Sequence, residues 1–262
     1  MAINVDTVYK TVLLILNKEQ RGYMTPPEFN RIGTQVQLDI FDQYFEDLNQ
    51  QLRVPQSDAD YADRQIAIDE KISLFKTEGN CVYSSNKFNL PIVDSDGNTV
   101  LNSGVEPSSA NQVVFYKLGT LIYSPPSGFP TEIQRLQRND FYNIEKSPIT
   151  ASTKAFPTYL YESNKIIVRP TTIISDVTTS FIRKPRNVIW GYKIGTVGQY
   201  LYSAQTNSTI PTENSTQFEL NASEQVNVIT RILFYSGVII RDPQIIQVAA
   251  QEIQNNEINQ KS

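Results

Sequence analysis

The sequence predicts an α+β protein with an N-terminal antiparallel helical bundle that contains one long helix, an inserted antiparallel β-barrel or sandwich, and C-terminal helices that return to the bundle. Apolar residues recur at helical spacing up to about residue 75 and again after Ser223. Between these regions, short apolar–polar alternations are separated by proline and glycine, as in antiparallel sheets. We therefore expect a helical domain of residues 1–79 and 221–262, and a β-domain of residues 80–220.

The first two helices are predicted to be joined by a short turn. Apolar residues recur at helical spacing from Val5 to Leu16, and Gly22 can end that helix because glycine adopts positive φ at little steric cost. Thr25 can cap the next helix, and Glu28 lies three residues later, where a capping box places its carboxylate. The sequence therefore predicts a tight connection that fixes how the two helices pack.

The second helix is predicted to be unusually long. Its apolar residues recur every three to four positions from Phe29 to Leu52, and Pro55 ends the pattern. At 1.5 Å per residue such a helix extends ~40 Å. We expect its apolar side to be too extensive to be covered within one copy, so that neighbouring copies associate along it. The residues predicted to contact a neighbouring subunit here are Phe29, Val36, Ile40 and Tyr44.

The remaining helices and strands are predicted from the same kinds of pattern. A third helix is predicted from Ser57 or Asp58 to Gly79, and helical spacing returns from Ser223 to Ile253. Between them, runs such as "QVVFYKLGTLIY" and "KIIVRP" read as strands, and "SDGN" at residues 95–98 reads as a hairpin tip. The pattern leaves open whether these strands form a barrel or a sandwich.

Composition argues against catalysis and against tight binding of nucleic acid. The chain has no histidine and one cysteine, Cys81, which removes the commonest general base and any cysteine-based zinc site. Residues 1–79 carry 8 basic and 13 acidic side chains, whereas DNA binding relies on Lys and Arg to neutralise phosphates. No apolar run has the length of a membrane span, and the first residues lack a secretion signal, so the protein is expected to stay where it is made. We predict no enzyme activity, no cofactor and no metal.

Four motifs have both a chemical and a structural interpretation. Ser84 and Lys87 match Ser-x-x-Lys, and residues 94–98 resemble the start of a calcium loop, but each lacks its companion residues and is better read as a turn. The carboxylates of Asp39, Asp42 and Glu46 share one helix face and could serve acid–base chemistry, but they are better interpreted as a solvated or lumen-facing acidic stripe. The basic cluster has three open interpretations, which are solvent exposure, contact with DNA and contact with an acidic neighbouring subunit. Its residues are Arg183, Lys184 and Arg186.

The opening "INVDTVYKTVLLILNKEQRGYMTPPEFNRIGTQVQLDIFDQYFEDLNQQLR" resembles the start of virion structural proteins of crAss-like phages and related marine podoviruses. The resemblance covers residues 3–53 in detail. A looser resemblance to the β-domain of such proteins follows in "KIIVRP", "TTSFIRKP" and Trp190. The helix–β–helix order is similar to that of head–tail connector adaptors.

This resemblance implies a subunit of a ring of about twelve copies below the portal, made in the bacterial cytoplasm and located in the virion. DNA would pass through the ring without sequence-specific binding, and other tail or ring proteins would contact it. The C-terminal tail would extend onto the portal protein, with predicted contacts at Gln251, Asn255 and Asn256.

Two other functions are open to the sequence alone. A tail-associated fibre or carbohydrate-binding β-protein could stack sugars on the tyrosines at positions 159, 161, 192, 200 and 202, and Trp190 could do the same, although a lone tryptophan in a β-domain is more often a core residue. A histidine-free hydrolase would need paired carboxylates, and no recognisable spacing of acids supports one.

Overall fold

A computed structural model describes residues 2–18, 23–51, 64–109, 111–206, 208–240, 247, 250–251 and 253–255. The described chain divides into two compact units. Unit 1 comprises the described parts of Met1–Leu74 and Pro185–Ser262, and unit 2 is Phe75–Lys184. Residues 185–220, which the sequence pattern placed in the β-domain, therefore belong with the helices of unit 1.

The secondary-structure elements are numbered along the chain. The helices are α1 Val5–Lys18, α2 Pro26–Gln51, α3 Arg64–Ser73, α4 Arg138–Ile144 and α5 Gln225–Ile240. The strands are β1 Ala2–Ile3, β2 Lys76–Asn80, β3 Val82–Ser84, β4 Lys87–Asn89, β5 Thr99–Leu101, β6 Gln112–Tyr123, β7 Thr131–Arg135, β8 Thr158–Glu162, β9 Lys165–Arg169, β10 Val177–Lys184, β11 Tyr192–Ile194, β12 Tyr200–Tyr202 and β13 Phe218–Asn221.

Side-chain caps define where α1 and α2 begin. The Asn4 side-chain oxygen accepts the backbone N–H groups of Asp6 (2.9 Å) and Thr7 (3.1 Å) at the start of α1. At the start of α2, the Glu28 carboxylate accepts the backbone N–H of Thr25 at 2.8 Å and its hydroxyl at 2.7 Å. These bonds satisfy donors that a helix start leaves unpaired. The predicted position of the Glu28 carboxylate in a capping box is confirmed, and the Thr25 hydroxyl donates to that carboxylate.

A polar stripe on α2 hydrogen-bonds to extended backbone. Asn30, Thr34 and Gln37 lie at positions i, i+4 and i+7, on one side of the helix. The Asn30 side-chain oxygen accepts the backbone N–H of Trp190 at 2.7 Å, and the Thr34 hydroxyl oxygen accepts that of Val188 at 3.0 Å. The side chains of α2 thus hydrogen-bond to the backbone of residues 186–190, as the backbone of a neighbouring strand would.

The core of unit 1 forms where α2 meets this extended segment and β13. Gly33 lies against β13, since a Cβ at that position would stand 3.4 Å from the Phe218 ring. The Phe218 side chain is fully buried, and strand β1 pairs antiparallel with β13. The buried apolar residues of the unit include Val5, Val8, Val12, Leu16, Phe29, Val36, Ile40, Phe41, Leu220, Val228 and Ile232.

The predicted fold class is wrong. The chain is a mixed α/β structure rich in strands, and its described helices do not form a long N-terminal bundle separate from the strands. The physical reason lies in the polar face of α2, which binds the backbone of residues 186–190 and the start of β13. Helical periodicity in the sequence identifies the apolar face of α2, but it does not show that other segments also cover the polar face.

Unit 2 is built on a nearly closed, barrel-like sheet. Eight strands follow the order β2-β10-β6-β7-β8-β9-β4-β3, and β5 pairs parallel with β6 beside this path. Strands β2 and β3 stand at the two ends of the order, yet Cys81 alone separates them along the chain. The Cys81 backbone N–H donates to the Val177 carbonyl at 2.9 Å, which fixes this junction against β10. The enclosed core includes Phe88, Phe115, Leu121, Ile133, Tyr159, Ile166 and Phe181.

Strand β2 replaces the predicted end of the third helix. The sequence pattern continues that helix to Gly79, whereas α3 ends at Ser73 and residues 76–80 pair antiparallel with β10. Thr77 and Gly79 are buried and alternate with exposed neighbours, the period of a strand. A Cβ on Gly79 would stand 2.6 Å from the Pro91 side chain, so the close approach requires glycine. The predicted start, at residues 57–58, lies outside the described residues.

The register gives the sheet of unit 2 two distinct ends. Lys76 pairs with Ile182, so the chain enters and leaves the unit at one end, which we call the crossing end. At the other end, Tyr123 pairs with both Val177 and Thr131. This loop end carries residues 124–130 between β6 and β7, and residues 170–176 between β9 and β10. Residues 153–157 approach β8 from the loop end, because β8 runs parallel to β7 and begins beside Gln134.

Candidate protein-interaction surface

Large apolar side chains project from the loop end of unit 2. Phe129 in the β6–β7 loop is 91% exposed, and Phe156 before β8 is 80% exposed. Ile174 in the β9–β10 loop is 56% exposed. Single exposed apolar residues are ordinary, but three from separate loops at one end of the sheet make this end a candidate interaction surface. We call Phe129, Phe156 and Ile174 the loop-end patch.

The loops that carry this patch are held by backbone hydrogen bonds and by a buried anchor. The Ser124 N–H donates to the Asp176 carbonyl at 2.9 Å, which joins the β6–β7 loop to the β9–β10 loop. Ile173 is buried in the sheet core, so its neighbour Ile174 is directed outward. Phe156 closes a turn in which its N–H donates to the Thr153 carbonyl at 3.1 Å. The patch is therefore presented by ordered backbone.

A second apolar surface lies on the β11–β12 hairpin of unit 1. Val197, in the turn between the strands, is 87% exposed, and Ile194 and Leu201 are exposed as well. The turn closes through Gly195, whose N–H donates to the Gln199 carbonyl at 2.8 Å, and Gly198 adopts a φ of +83° that favours glycine. The register places Ile194 with Tyr200 on one face of the hairpin and Leu201 with Lys193 on the other. We call Ile194 and Val197 the hairpin patch.

An aromatic cluster anchors the base of the hairpin. Trp190 packs against Tyr9, with ring centroids 4.5 Å apart, and against Tyr202 at 5.6 Å. Its indole N–H donates to the Asp6 carboxylate at 3.1 Å, and the ring is buried. The Tyr9 hydroxyl donates to the Met24 carbonyl at 2.9 Å, and burial raises the pKa of Tyr9 above its ordinary value. Trp190 is thus a core residue, as the sequence favoured.

Charge is sparse on both patches and differs between the two units. Lys193 is the one charged residue of strands β11 and β12 and their turn, and it pairs with Glu213 at 3.4 Å. The loop segments 124–130, 153–157 and 170–176 hold only Lys154 and Asp176. Unit 1 has 12 basic and 18 acidic residues in sequence, a net charge of −6, and unit 2 has 11 and 9, a net charge of +2.

No protein-family model and no curated protein matches the chain.

The residues predicted on α2 to contact a neighbouring subunit are not at the surface. Phe29, Val36, Ile40 and Tyr44 are all buried within a single chain. The expectation that one copy cannot cover this side of α2 is therefore wrong: the Tyr9 ring of α1 lies 4.8 Å from the Phe29 ring, and α3 and α5 of the same chain pack against the helix. Leu52 lies outside the described residues, and the side chain of Leu48 is not described.

The basic cluster is divided between the two units, and each member has a partner in its own unit. Arg183 lies over the Phe75 ring at 5.9 Å in unit 2, where Lys184 also pairs with Glu106 at 3.4 Å. Arg186 belongs to unit 1 and lies 3.8 Å from the Glu219 carboxylate. Because these partners satisfy part of their charge, the three residues are a weaker candidate surface than the apolar patches.

The predicted portal contacts lie in the last helical residues. Gln251 and Asn255 are exposed, and Asn256 is outside the described residues. Their exposure leaves them accessible to a partner, and their chemistry is that of an uncharged polar surface.

The residues of the motifs that could be interpreted as catalytic or metal-binding have structural roles. Ser84 and Lys87 end β3 and begin β4, on either side of a turn whose two residues have positive φ. The Asp94 carboxylate accepts the backbone N–H groups of Asp96 (3.0 Å) and Asn98 (2.7 Å), which makes the predicted turn. Among the described residues, no group of three or more His, Cys, Asp or Glu side chains is placed to hold a metal ion. None of the helices in the described ranges combines the length and hydropathy needed to cross a bilayer.

Sequence reasoning missed the residues that now form the candidate surface. Phe129 lies in "SPPSGFP" and Val197 in "GTVG", each a large apolar residue among turn formers. Turn-forming neighbours predict a loop, and an apolar residue at the tip of a loop has no core to enter. That combination was the available signal.

Proposed function

We propose that the protein is a structural protein of a phage virion, a subunit of a head-to-tail connector ring that works by assembly rather than catalysis. The observation that carries this proposal is the presence of two projecting apolar patches, on the loop end of unit 2 and on the hairpin of unit 1. Buried aromatic and aliphatic anchors supply most of the binding energy of protein interfaces, so side chains such as Phe129 and Phe156 suit that role.

The resemblance of residues 3–53 to phage virion proteins supplies the class of assembly. A portal protein would lie on one side of such a ring and other tail proteins on the other, with the exposed Gln251 and Asn255 as candidate portal contacts. Because Phe29, Val36, Ile40 and Tyr44 are buried, lateral contacts between copies would use the two patches and not the apolar side of α2.

Passage of DNA is compatible with the distribution of charge. Unit 1 has a net charge of −6, and an acidic surface repels the phosphate backbone instead of retaining it. A channel lined by such a surface would let DNA slide without sequence-specific binding.

Carbohydrate binding receives less support from the aromatic residues. The rings of Trp190, Tyr192 and Tyr202 pack against one another, and Tyr159 is buried in the other unit. A sugar needs an open ring face on which to stack, and these faces are largely occupied by neighbouring rings.

The proposal is tested by measuring the mass of assemblies formed by the full chain. We expect light scattering and negative-stain microscopy to detect rings of about twelve copies, either alone or after mixing with the portal protein from the same genome. The matched control is the double variant Phe129→Ser with Phe156→Ser, which removes exposed apolar surface without touching a buried core. A chain that stays monomeric at every concentration and does not bind the portal protein would refute the proposal.

A further inference from the structure

We propose that the hairpin patch of one copy docks on the loop-end patch of the next copy, so that unit 1 of each chain binds unit 2 of its neighbour. The partner of both patches is therefore a second copy of this chain. This inference rests on the proposed ring assembly and names the surfaces that would build it.

The two patches differ in kind, which favours a head-to-tail contact. The loop-end patch is broad and aromatic, with side chains from three loops, whereas Val197 projects from a narrow turn between Gly195 and Gly198. When unlike surfaces bind each other, a growing assembly keeps one free hairpin patch at one end and one free loop-end patch at the other. Such heterologous contacts propagate from copy to copy and form a ring when the rotation closes.

Burying either patch removes few charges from water. Lys193 already pairs with Glu213 near the hairpin, and the Asp176 carboxylate accepts the Ser175 hydroxyl at 2.6 Å near the loop end. Desolvation of unpaired ions opposes the burial of a surface, and the loop-end segments contain only Lys154 and Asp176 as charged residues. Within the described chain, strands β11 and β12 pair only with each other, so neither has a second strand as a neighbour.

Net charge favours the same pairing over its alternatives. In the proposed contact, a unit of net charge −6 meets a unit of net charge +2. A contact between two hairpins would instead bring two acidic units together, and a contact between two loop ends would join two basic ones. Opposite net charges steer association and like charges oppose it.

The exposed apolar area at the loop end suits a contact that is weak between two copies and is repeated around a ring. A fully exposed aromatic side chain presents ~200 Å², so Phe129 and Phe156 at 91% and 80% exposure present roughly 340 Å² together. A stable interface buries ~800 Å² on each partner. The two rings would thus supply nearly half of that area, with Ile174 and the surrounding loops supplying the rest.

Disulfide trapping between copies tests the pairing directly. Val197→Cys and Phe156→Cys are made separately in full-length chains of different tag length, mixed one to one, and exposed to a mild oxidant. We expect the mixed disulfide to exceed either self-disulfide by at least about tenfold on non-reducing gels. The wild-type chain, which carries only Cys81, is the control for unspecific oxidation.

Two further variants separate loss of contact from loss of fold. Val197→Asp is expected to raise the concentration for half-maximal assembly at least about tenfold, and Val105→Asp, at an exposed apolar residue outside both patches, is expected to leave it unchanged. Circular dichroism checks that both variants fold. Dominant self-disulfides, or rings that form without the mixed disulfide, would overturn the inference and leave the proposed ring function standing. Absence of both assembly and portal binding would overturn the proposed function itself.

Discussion

The side-chain amide of Gln37 donates to the backbone carbonyl of Arg186 at 2.7 Å, and the amide oxygen accepts the backbone N–H of Glu219 at 2.8 Å. Gln37 is fully buried, so one side chain satisfies two backbone groups from segments far apart in sequence. This relationship joins α2 to both extended segments of unit 1. It also explains why the unit is not a bundle of helices, since the polar side of α2 faces backbone.

Gln37→Leu should destabilise the protein severely. The variant leaves the Arg186 carbonyl and the Glu219 N–H without their partner, and each unsatisfied buried group costs ~1–3 kcal/mol. We expect the free energy of unfolding to fall by about 2–5 kcal/mol in urea denaturation. Gln35→Ala, on an exposed position of the same helix, should change it by less than about 0.5 kcal/mol. Equal effects of the two substitutions would contradict the assigned role.

Glu28→Gln should reduce stability in a manner that depends on pH. Hydrogen bonds from the Thr25 hydroxyl and then the Thr25 N–H lower the pKa of Glu28 below its ordinary value near 4.5. A carboxyl with a lowered folded-state pKa stabilises the fold above its unfolded pKa, and that contribution is lost as pH falls through the folded value.

Because Glu28 is exposed, the difference between wild type and Glu28→Gln should be modest, about 0.5–1 kcal/mol at pH 7. It should shrink as the pH falls below 4.5, measured by denaturation at several pH values. Gln35→Ala, at an exposed position of the same helix, is the control, because it removes no ionisable group. A constant difference across the whole pH range would argue that the carboxylate does not cap α2.

Local features were predictable from the sequence because they depend on neighbours along the chain. The Thr25–Glu28 capping box and the turn at residues 94–98 both involve groups within four positions. The burial of Trp190 followed from the rarity of open tryptophans in strand-rich regions. Periodicity also identified α1, α2 and α5 as helices, although not what their polar faces contact.

Long-range pairing was not predictable by the same means. The sequence of strand β2 has the pattern of a helix end, and only its pairing with β10 shows that it is a strand. Asn80 and Thr178, which pair, are 98 positions apart in the sequence. The polar residues Asn30, Thr34 and Gln37 resemble a solvated helix face until residues 186–190 lie against them. The loop-end patch could be recognised only from the register of the sheet, because its three loops are distant in sequence.

Gly79→Ala should disturb the closure of the sheet in unit 2. A Cβ at this position would lie 2.6 Å from the Pro91 Cβ and 2.9 Å from the Val93 carbonyl oxygen, so the backbone of β2 or of residues 91–93 must shift. Overpacking of this kind costs ~1–3 kcal/mol, which thermal or urea unfolding would detect. The neighbouring Glu78→Ala, whose side chain faces outward, should be nearly neutral. A neutral Gly79→Ala would show that β2 does not pack as described.

Cys81 should react very slowly with thiol reagents in the folded protein. Burial raises the pKa of its thiol from 9.0 to about 12, so the reactive thiolate is about a thousandfold rarer than for an exposed cysteine at pH 8. We expect little labelling by Ellman's reagent at pH 8 in native buffer and one thiol per chain in 6 M guanidinium. Rapid stoichiometric labelling of the native protein would place Cys81 at an open position. The same slow reaction keeps Cys81 from interfering with the trapping of introduced cysteines.

Trp190 provides a direct measurement that separates the core interpretation from sugar stacking. It is the sole tryptophan, it is buried beside Tyr9, and its indole N–H is bound to Asp6. We expect blue-shifted emission that acrylamide quenches weakly in the native protein and several times more strongly after unfolding. Glycans should leave this emission unchanged, because the ring has no open face to offer them. A saturable change of emission on addition of an oligosaccharide, absent in the Tyr200→Ala variant of the half-exposed hairpin tyrosine, would instead establish a carbohydrate site and displace assembly as the leading function.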